Sequence, residues 1–137
     1  MFDQNVELVR RAFEAFERRD KEAWLDGCDP ELEIVPVGDW PDGRPIRGRE
    51  AAWEFFVATD EPWESGPFEL TEAIEAGADQ LVARQRRDMQ GKSSGVEVEY
   101  DYWLLVTLRN RKALRLQWFY ARSEALEAAR GRGSSAA

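Results

Sequence analysis

Apolar and polar positions recur along this chain with two different periods, and the change of period divides it. In the first part the spacing is helical. Val6, Val9, Phe13 and Phe16 fall on one face, with Arg10, Arg11, Glu14, Glu17 and Arg18 between them. This predicts an amphipathic helix from Asn5 to Arg19, with Asp3 as its N-cap. A second, short helix is expected from Asp20 through Trp24 and Leu25, stopped by Gly27 to Pro30. Glu31 to Val37 then sets Leu32 and Ile34 against Glu33 and Val35, a first strand that Pro36 limits because proline cannot donate to a ladder. Gly38 to Gly48 reads as a loop with a short strand at Pro45 to Arg47, and Arg49 to Thr59 as a third helix presenting Trp53, Phe56 and Val57. Asp60 to Pro67 reads as irregular.

From Phe68 onward the period is two. Phe68 to Ala76 alternates as a strand, and Gly77 and Asp79 suit a hairpin turn. Gln80 to Gln90, Gly95 to Leu108 and Ala113 to Ala121 are rich in Val, Leu, Tyr, Phe and Trp. The breaks between them, Gly91 to Gly95 and Arg109 to Lys112, are hairpin-sized, so these runs predict an antiparallel meander. One face of a meander must be buried, and the N-terminal helices are available to cover it. Ser123 to Ala129 predicts a short terminal helix, while Gly131 to Ala137 has nothing to bury and is expected to be mobile. The expectation is a single α+β domain over residues 1–130.

Composition narrows the function classes. The net charge of −8 argues against nucleic acid or an anionic membrane as a partner, since both select basic faces. Cys28 is the single cysteine, so no internal disulfide can form and a reducing, cytoplasmic setting is expected. The chain has no histidine. That removes Ser/His/Asp and Cys/His nucleophile systems and makes zinc, non-haem iron or His-ligated haem poor expectations, so no metal and no cofactor are assigned.

Candidate site residues follow from strand parity. Tyr100 and Tyr102 share one side of a strand, and Trp118 and Tyr120 share one side of the next; facing a pocket, they would form an aromatic wall with phenol and indole donors. The competing reading is core or dimer interface. Gln85 and Arg87 share a face that can anchor a carboxylate or polarise a carbonyl, against the alternative of a solvated charge run through Arg84, Arg86 and Asp88. Glu97, Glu99 and Asp101 are read as cross-strand ion-pair partners. Asp39 and Asp42 flank Trp40 and Pro41, where a carboxylate shielded by Trp40 would serve as acid or base, unless the segment is a capped turn. Trp53 and Phe56 are core residues of the third helix, with Trp53 the one expected to reach a ligand.

The order helix, helix, strand, helix, then four long antiparallel strands resembles the nuclear transport factor 2-like fold, and its SnoaL-like, polyketide cyclase-like branch in particular. The residues that carry the resemblance are Asp39 to Gly43 (DWPDG), Ile46 to Gly48 before a helix, Ala78-Asp79 before a strand, Ser94 to Val98, and Phe119 with Arg122 to Ala129. It implies a cone-shaped half-barrel, a curved antiparallel sheet wrapped around three N-terminal helices and enclosing a pocket. The family's catalytic sets do not carry over. Where ketosteroid isomerases place a tyrosine and an aspartate this chain has Phe13 and Val35, which are therefore assigned to pocket lining. The epoxide hydrolase positions match Gln85, Arg87 and Trp118, or Arg86 and Asp88 in the adjacent register, without the final aspartate. Ala121 stands where relatives place an aspartate.

The resulting expectation is a homodimeric pocket protein for a small apolar or aromatic molecule, with cofactor-free isomerisation, cyclisation or hydrolysis as open reaction classes. Asp39, Arg87 and Tyr102 are the candidates for chemistry; Phe13, Val35, Trp40, Trp53, Phe56, Gln85, Tyr100, Trp118 and Tyr120 are the candidates for ligand contact. The alternative is a non-catalytic dimeric or accessory module whose cone is filled by its own aromatics.

Overall fold

In the computed structural model, which describes residues 2–37 and 44–136, α1 (Phe2–Glu17) and α2 (Lys21–Asp26) form a helical hairpin. α1 opens at Phe2, so Asp3 lies inside its first turn instead of ahead of it. Asp20 caps α2 as its sequence position predicts, accepting from the Ala23 N–H at 3.2 Å. Then follow β1 (Cys28–Val35), β2 (Ile46–Arg47), α3 (Arg49–Asp60), β3 (Trp63–Ser65), β4 (Glu69–Gly77), β5 (Gln80–Gly91), β6 (Glu97–Arg109), β7 (Lys112–Phe119) and α4 (Arg122–Ala136). No described helix is long and apolar enough to cross a membrane.

The strands form one sheet in the order β2-β1-β7-β6-β5-β3, with β4 also pairing β5. β1 runs parallel to β7 and every other pair is antiparallel. The sheet curls into a half-barrel. The tight β6–β7 turn is built by Asn110 and Arg111, both at positive φ (52° and 64°), the conformation that a two-residue hairpin loop of matching twist requires.

Asp60 to Pro67 is not wholly irregular: Trp63 to Ser65 pairs with Met89 to Gly91. β3 and β4 lie along the same edge of β5 and are separated by Gly66, Pro67 and Phe68. Pro67 has no N–H to give a ladder, and the Gly66 N–H bonds the Asp88 carbonyl at 2.8 Å. α4 also runs to Ala136, past the Ala129 end read from the sequence.

Both sheet faces are covered, by different means. Inside, Val9 of α1 packs on Leu81, Leu104, Val106 and Leu108. Phe16, Trp24 and Trp53 pack with Leu32 and Ile34 of β1. Each fully buried Leu or Ile contributes about 2 kcal/mol by leaving water. Outside, α4 lays Ala125 and Ala129 over Val82 and Leu105. The Arg109 guanidinium forks onto Asp29 at 2.9 and 3.1 Å, tying β1 to the β6–β7 turn and holding the Asp29 carboxyl below its usual range.

Candidate functional site

The concave face of the sheet, with α1 and α3 across it, encloses a cavity of about 150 Å³. Its walls are largely apolar, with Val9, Phe13, Phe16, Ile34, Phe56, Leu104, Val106 and Leu116 among the lining. Apolar cavities of about this volume accept a benzene-sized guest. The aromatic rings form a connected cluster: Phe68 meets Phe13 at 5.0 Å between centroids and Tyr100 at 6.2 Å, Tyr100 meets Tyr102 at 4.5 Å, and Phe16 joins Phe68 at 6.4 Å to Phe56 at 6.1 Å, which reaches Trp118 at 5.7 Å.

One wall is polar. β5, β6 and β7 are adjacent in the sheet, and their alternation brings Gln85, Tyr100, Tyr102 and Trp118 to the same inner face. Gln85 is only 2% exposed. Its Oε1 accepts from the Trp118 indole Nε1–H at 2.9 Å and from the Tyr100 hydroxyl at 3.3 Å. Burial drives the Tyr100 phenol well above its ordinary pKa, and the adjacent Tyr102 adds to that; the Trp118 N–H and the Arg87 charge pull the other way. Tyr100 is therefore a neutral donor throughout the physiological range.

Arg87, two residues along β5 from Gln85, is 7% exposed and closes this end of the cavity. Its guanidinium lies 3.9 Å over the Phe68 ring, donates from Nε to the Gly66 carbonyl at 3.0 Å and from Nη1 to Asp60 Oδ1 at 3.0 Å. Burial lowers the Arg87 pKa, with the Asp60 charge opposing. Asp60, the last residue of α3, also accepts from Arg19 at 2.6 Å and Ser65 Oγ at 3.2 Å. This pair divides the cavity from an outer cleft lined by Glu17, Arg19, Ser65, Gly66 and Pro67. Cys28 also lines the cavity; burial pushes its thiol up to about 12, so it is not a thiolate near neutral pH.

Phe13, Phe56, Gln85, Arg87, Tyr100, Tyr102 and Trp118 all line the cavity. Three expected positions do not. Val35 is replaced by its neighbour Ile34: Val35 shares the outer face of β1 with Glu33, which pairs with Arg115 at 3.2 Å. Trp53 packs behind the cavity wall, edge-on to Phe16 at 5.6 Å and tilted against Trp24 at 5.5 Å, leaving Phe55 and Phe56 to reach the space. Tyr120 lies beyond the end of β7 and is 55% exposed, with its ring 5.7 Å from Tyr102. Asp39, Trp40 and Asp42 fall outside the described residues. Phe68 and Asp60 were missed. Phe68 begins an alternating run that placed it at a strand start. Asp60 stands at a helix end, and its Arg87 partner is too distant in sequence to signal it.

An α+β half-barrel whose helices close over an apolar cavity defines the class of nuclear transport factor 2-like proteins. Within it, the chain belongs to the SnoaL-like domain family, which matches residues 9–116. Among similar solved structures is an NTF2-like protein from Burkholderia xenovorans, at TM-score 0.75 and 23% identity over 94% of this chain and 97% of that one. TerC co-crystallized with polyporic acid gives TM-score 0.72 and 23% identity, covering 93% and 98% of the two chains. Rv0760c from Mycobacterium tuberculosis, in complex with estradiol-17β-hemisuccinate, gives 0.73 and 16%, covering 88% and 95%. No curated protein matches the chain significantly.

Proposed function

We propose that the cone binds a small, largely apolar, ring-bearing metabolite. The observation that carries this is a cavity of about 150 Å³ with largely apolar walls and a few polar groups gathered mainly on β5 and β6, the usual composition of a small-molecule site. Its volume also argues against a cone filled by its own aromatics. The relatives crystallised with polyporic acid and with estradiol-17β-hemisuccinate support the same reading.

Binding is better supported than proton transfer. The Asp60 carboxylate is engaged by Arg19, Arg87 and Ser65, and the Tyr100 phenol and Cys28 thiol are both held neutral. Within this reading Arg87 and Tyr102 are assigned to polarising a bound carbonyl, and Asp39 to any proton transfer. Cofactor-free isomerisation, cyclisation or hydrolysis is the corresponding chemistry. The same reading includes a cytoplasmic homodimer joined through the outer sheet face, where Trp103 and Phe119 stay partly exposed beside α4.

Native mass spectrometry of the protein from its own cells, followed by denaturing release, tests both parts. A retained ring-bearing molecule on a dimer mass is the expected result. Saturable quenching of Trp118 fluorescence by single-ring compounds, lost in Trp118→Phe, is the in vitro counterpart. Absence of saturable binding by every ring compound tried would remove the pocket reading.

A further inference from the structure

The polar wall is specific about what it lacks. An indole N–H can only donate, so the Gln85 atom 2.9 Å from Trp118 Nε1 is the amide oxygen, and the side-chain orientation is determined. The Tyr100 hydroxyl takes the second lone pair of that oxygen at 3.3 Å. Both acceptor positions of the amide are then spent, and both donors of Nε2 are left. Among the described residues Nε2 meets no acceptor, although the side chain is 2% exposed and lines the cavity. Arg87 Nη2 likewise donates to no described residue, its neighbours Nε and Nη1 being the nitrogens that are engaged. Asp60, which takes the Arg87 Nη1 donor, already accepts from Arg19 and Ser65 as well.

Nε2 is not one of the fully buried side-chain atoms without a hydrogen-bond partner, which among the described residues are Arg86 Nε, Thr107 Oγ1 and Arg115 Nε. It is open to the cavity, where a ligand oxygen can reach it and form the hydrogen bond in a low-dielectric site. From this we propose that the cavity selects ring-bearing ligands carrying a carbonyl-type oxygen as hydrogen-bond acceptor. That oxygen is received by Gln85 Nε2, and Trp118 and Tyr100 act as positioning residues that keep the amide from turning over. The inference rests on the small-molecule reading above and adds to it the group, Gln85 Nε2 beside Arg87 and Tyr102, that receives the ligand's carbonyl and makes it a condition of binding. The ring occupies the apolar end against Leu104, Val106 and Leu116, and the carbonyl faces β5.

Acetophenone and isopropylbenzene are near-isosteres that differ in this one oxygen, and both are of a size the cavity accepts. The test measures both dissociation constants in the wild type and in Gln85→Met. Acetophenone is expected to weaken by roughly tenfold in Gln85→Met while isopropylbenzene does not weaken, the change being that of one net hydrogen bond. Equal changes for the two ligands would overturn the acceptor rule and leave the cavity reading standing. If neither ligand saturates the wild type up to its solubility, both readings fall. The wild-type protein alone provides a second readout: the Gln85 side-chain ¹⁵N–¹H₂ resonances should shift with acetophenone and not with isopropylbenzene. Their indifference to acetophenone bound in the cavity would overturn the proposal even if Gln85→Met did not fold. In Trp118→Phe combined with Tyr100→Phe the amide is free to turn, and the advantage of acetophenone over its isostere should shrink. Its persistence there at full size would remove the positioning role.

Discussion

Four consecutive polar residues of β5 have opposite fates. Arg84 and Arg86 point to the outer face, where Arg84 forks onto Asp101 at 2.9 and 2.7 Å and Arg86 pairs with Glu99. Gln85 and Arg87 point inward and are 2% and 7% exposed. The chemistry of neighbouring residues is nearly the same, but the pleat sends alternate ones into different dielectrics. A polar group on the outer face exchanges water for an ion pair of small net worth; on the inner face it must find a partner in the protein or in a ligand. The sheet therefore uses one run of sequence both as a solvated surface and as a recognition wall.

The largest expected effect follows from the same parity on β1. Ile34→Ala removes a fully buried side chain from the cavity wall and should cost about 3 kcal/mol in urea unfolding. Val35→Ala, one residue away on the Glu33 face, should cost under about 1 kcal/mol. Similar losses at both positions would show that the outer face is as tightly packed as the inner one. Arg87→Met comes next. It leaves Asp60 with Arg19 and Ser65 but removes its most buried partner, and should cost about 2 kcal/mol, less than complete loss of a buried pair.

The contrast between Ile34 and Val35 also shows what the sequence made legible. The alternation of Leu32 and Ile34 against Glu33 and Val35 had already put Val35 on the polar side; only the resemblance to ketosteroid isomerases drew it into the pocket, and the periodicity was the sounder guide. The meander, its hairpins and the inward set Gln85, Arg87, Tyr100, Tyr102 and Trp118 were readable because period-two patterning and turn residues are local signals. β3 was not readable. Three residues between Pro62 and Gly66 carry no period, and their strand character comes from pairing with Met89 to Gly91, far along the chain. Asp60 was hidden for the same reason, because its role is set by Arg19 and Arg87 meeting it in space. Tyr120 differs again: β7 ends at Phe119, two residues short of the strand read to Ala121, yet alternation still set Tyr120 beside Tyr102, at 5.7 Å between rings, while leaving it 55% exposed.

Alkaline pH should separate the two faces more gently. Cys28, pushed from 9.0 to about 12, and Tyr100, also raised, bind protons more tightly folded than unfolded. The stability they contribute is complete below their unfolded pKa values and is lost as pH rises toward the folded ones. Unfolding free energy should thus decline from about pH 9 upward, by at most about 1.4 kcal/mol per pH unit for each group. Cys28→Ala should flatten the first part of that decline, as measured by urea midpoints between pH 8 and pH 10. An unchanged slope would place the thiol in contact with water.

The smallest effect belongs to the outer arginine. Arg84→Ala removes a well-formed fork, yet its side chain is 39% exposed and Asp101 is 29% exposed, so water and salt already screen the pair. The melting temperature of Arg84→Ala should lie close to that of the wild type, and raising the salt concentration should erase what difference there is. If Arg84→Ala were instead as damaging as Arg87→Met, and the damage grew with protein concentration, then the fork would be covered in solution by a second copy. The outer face would have to be treated as an interior, and the difference between the two sides of β5 would hold only for the isolated chain.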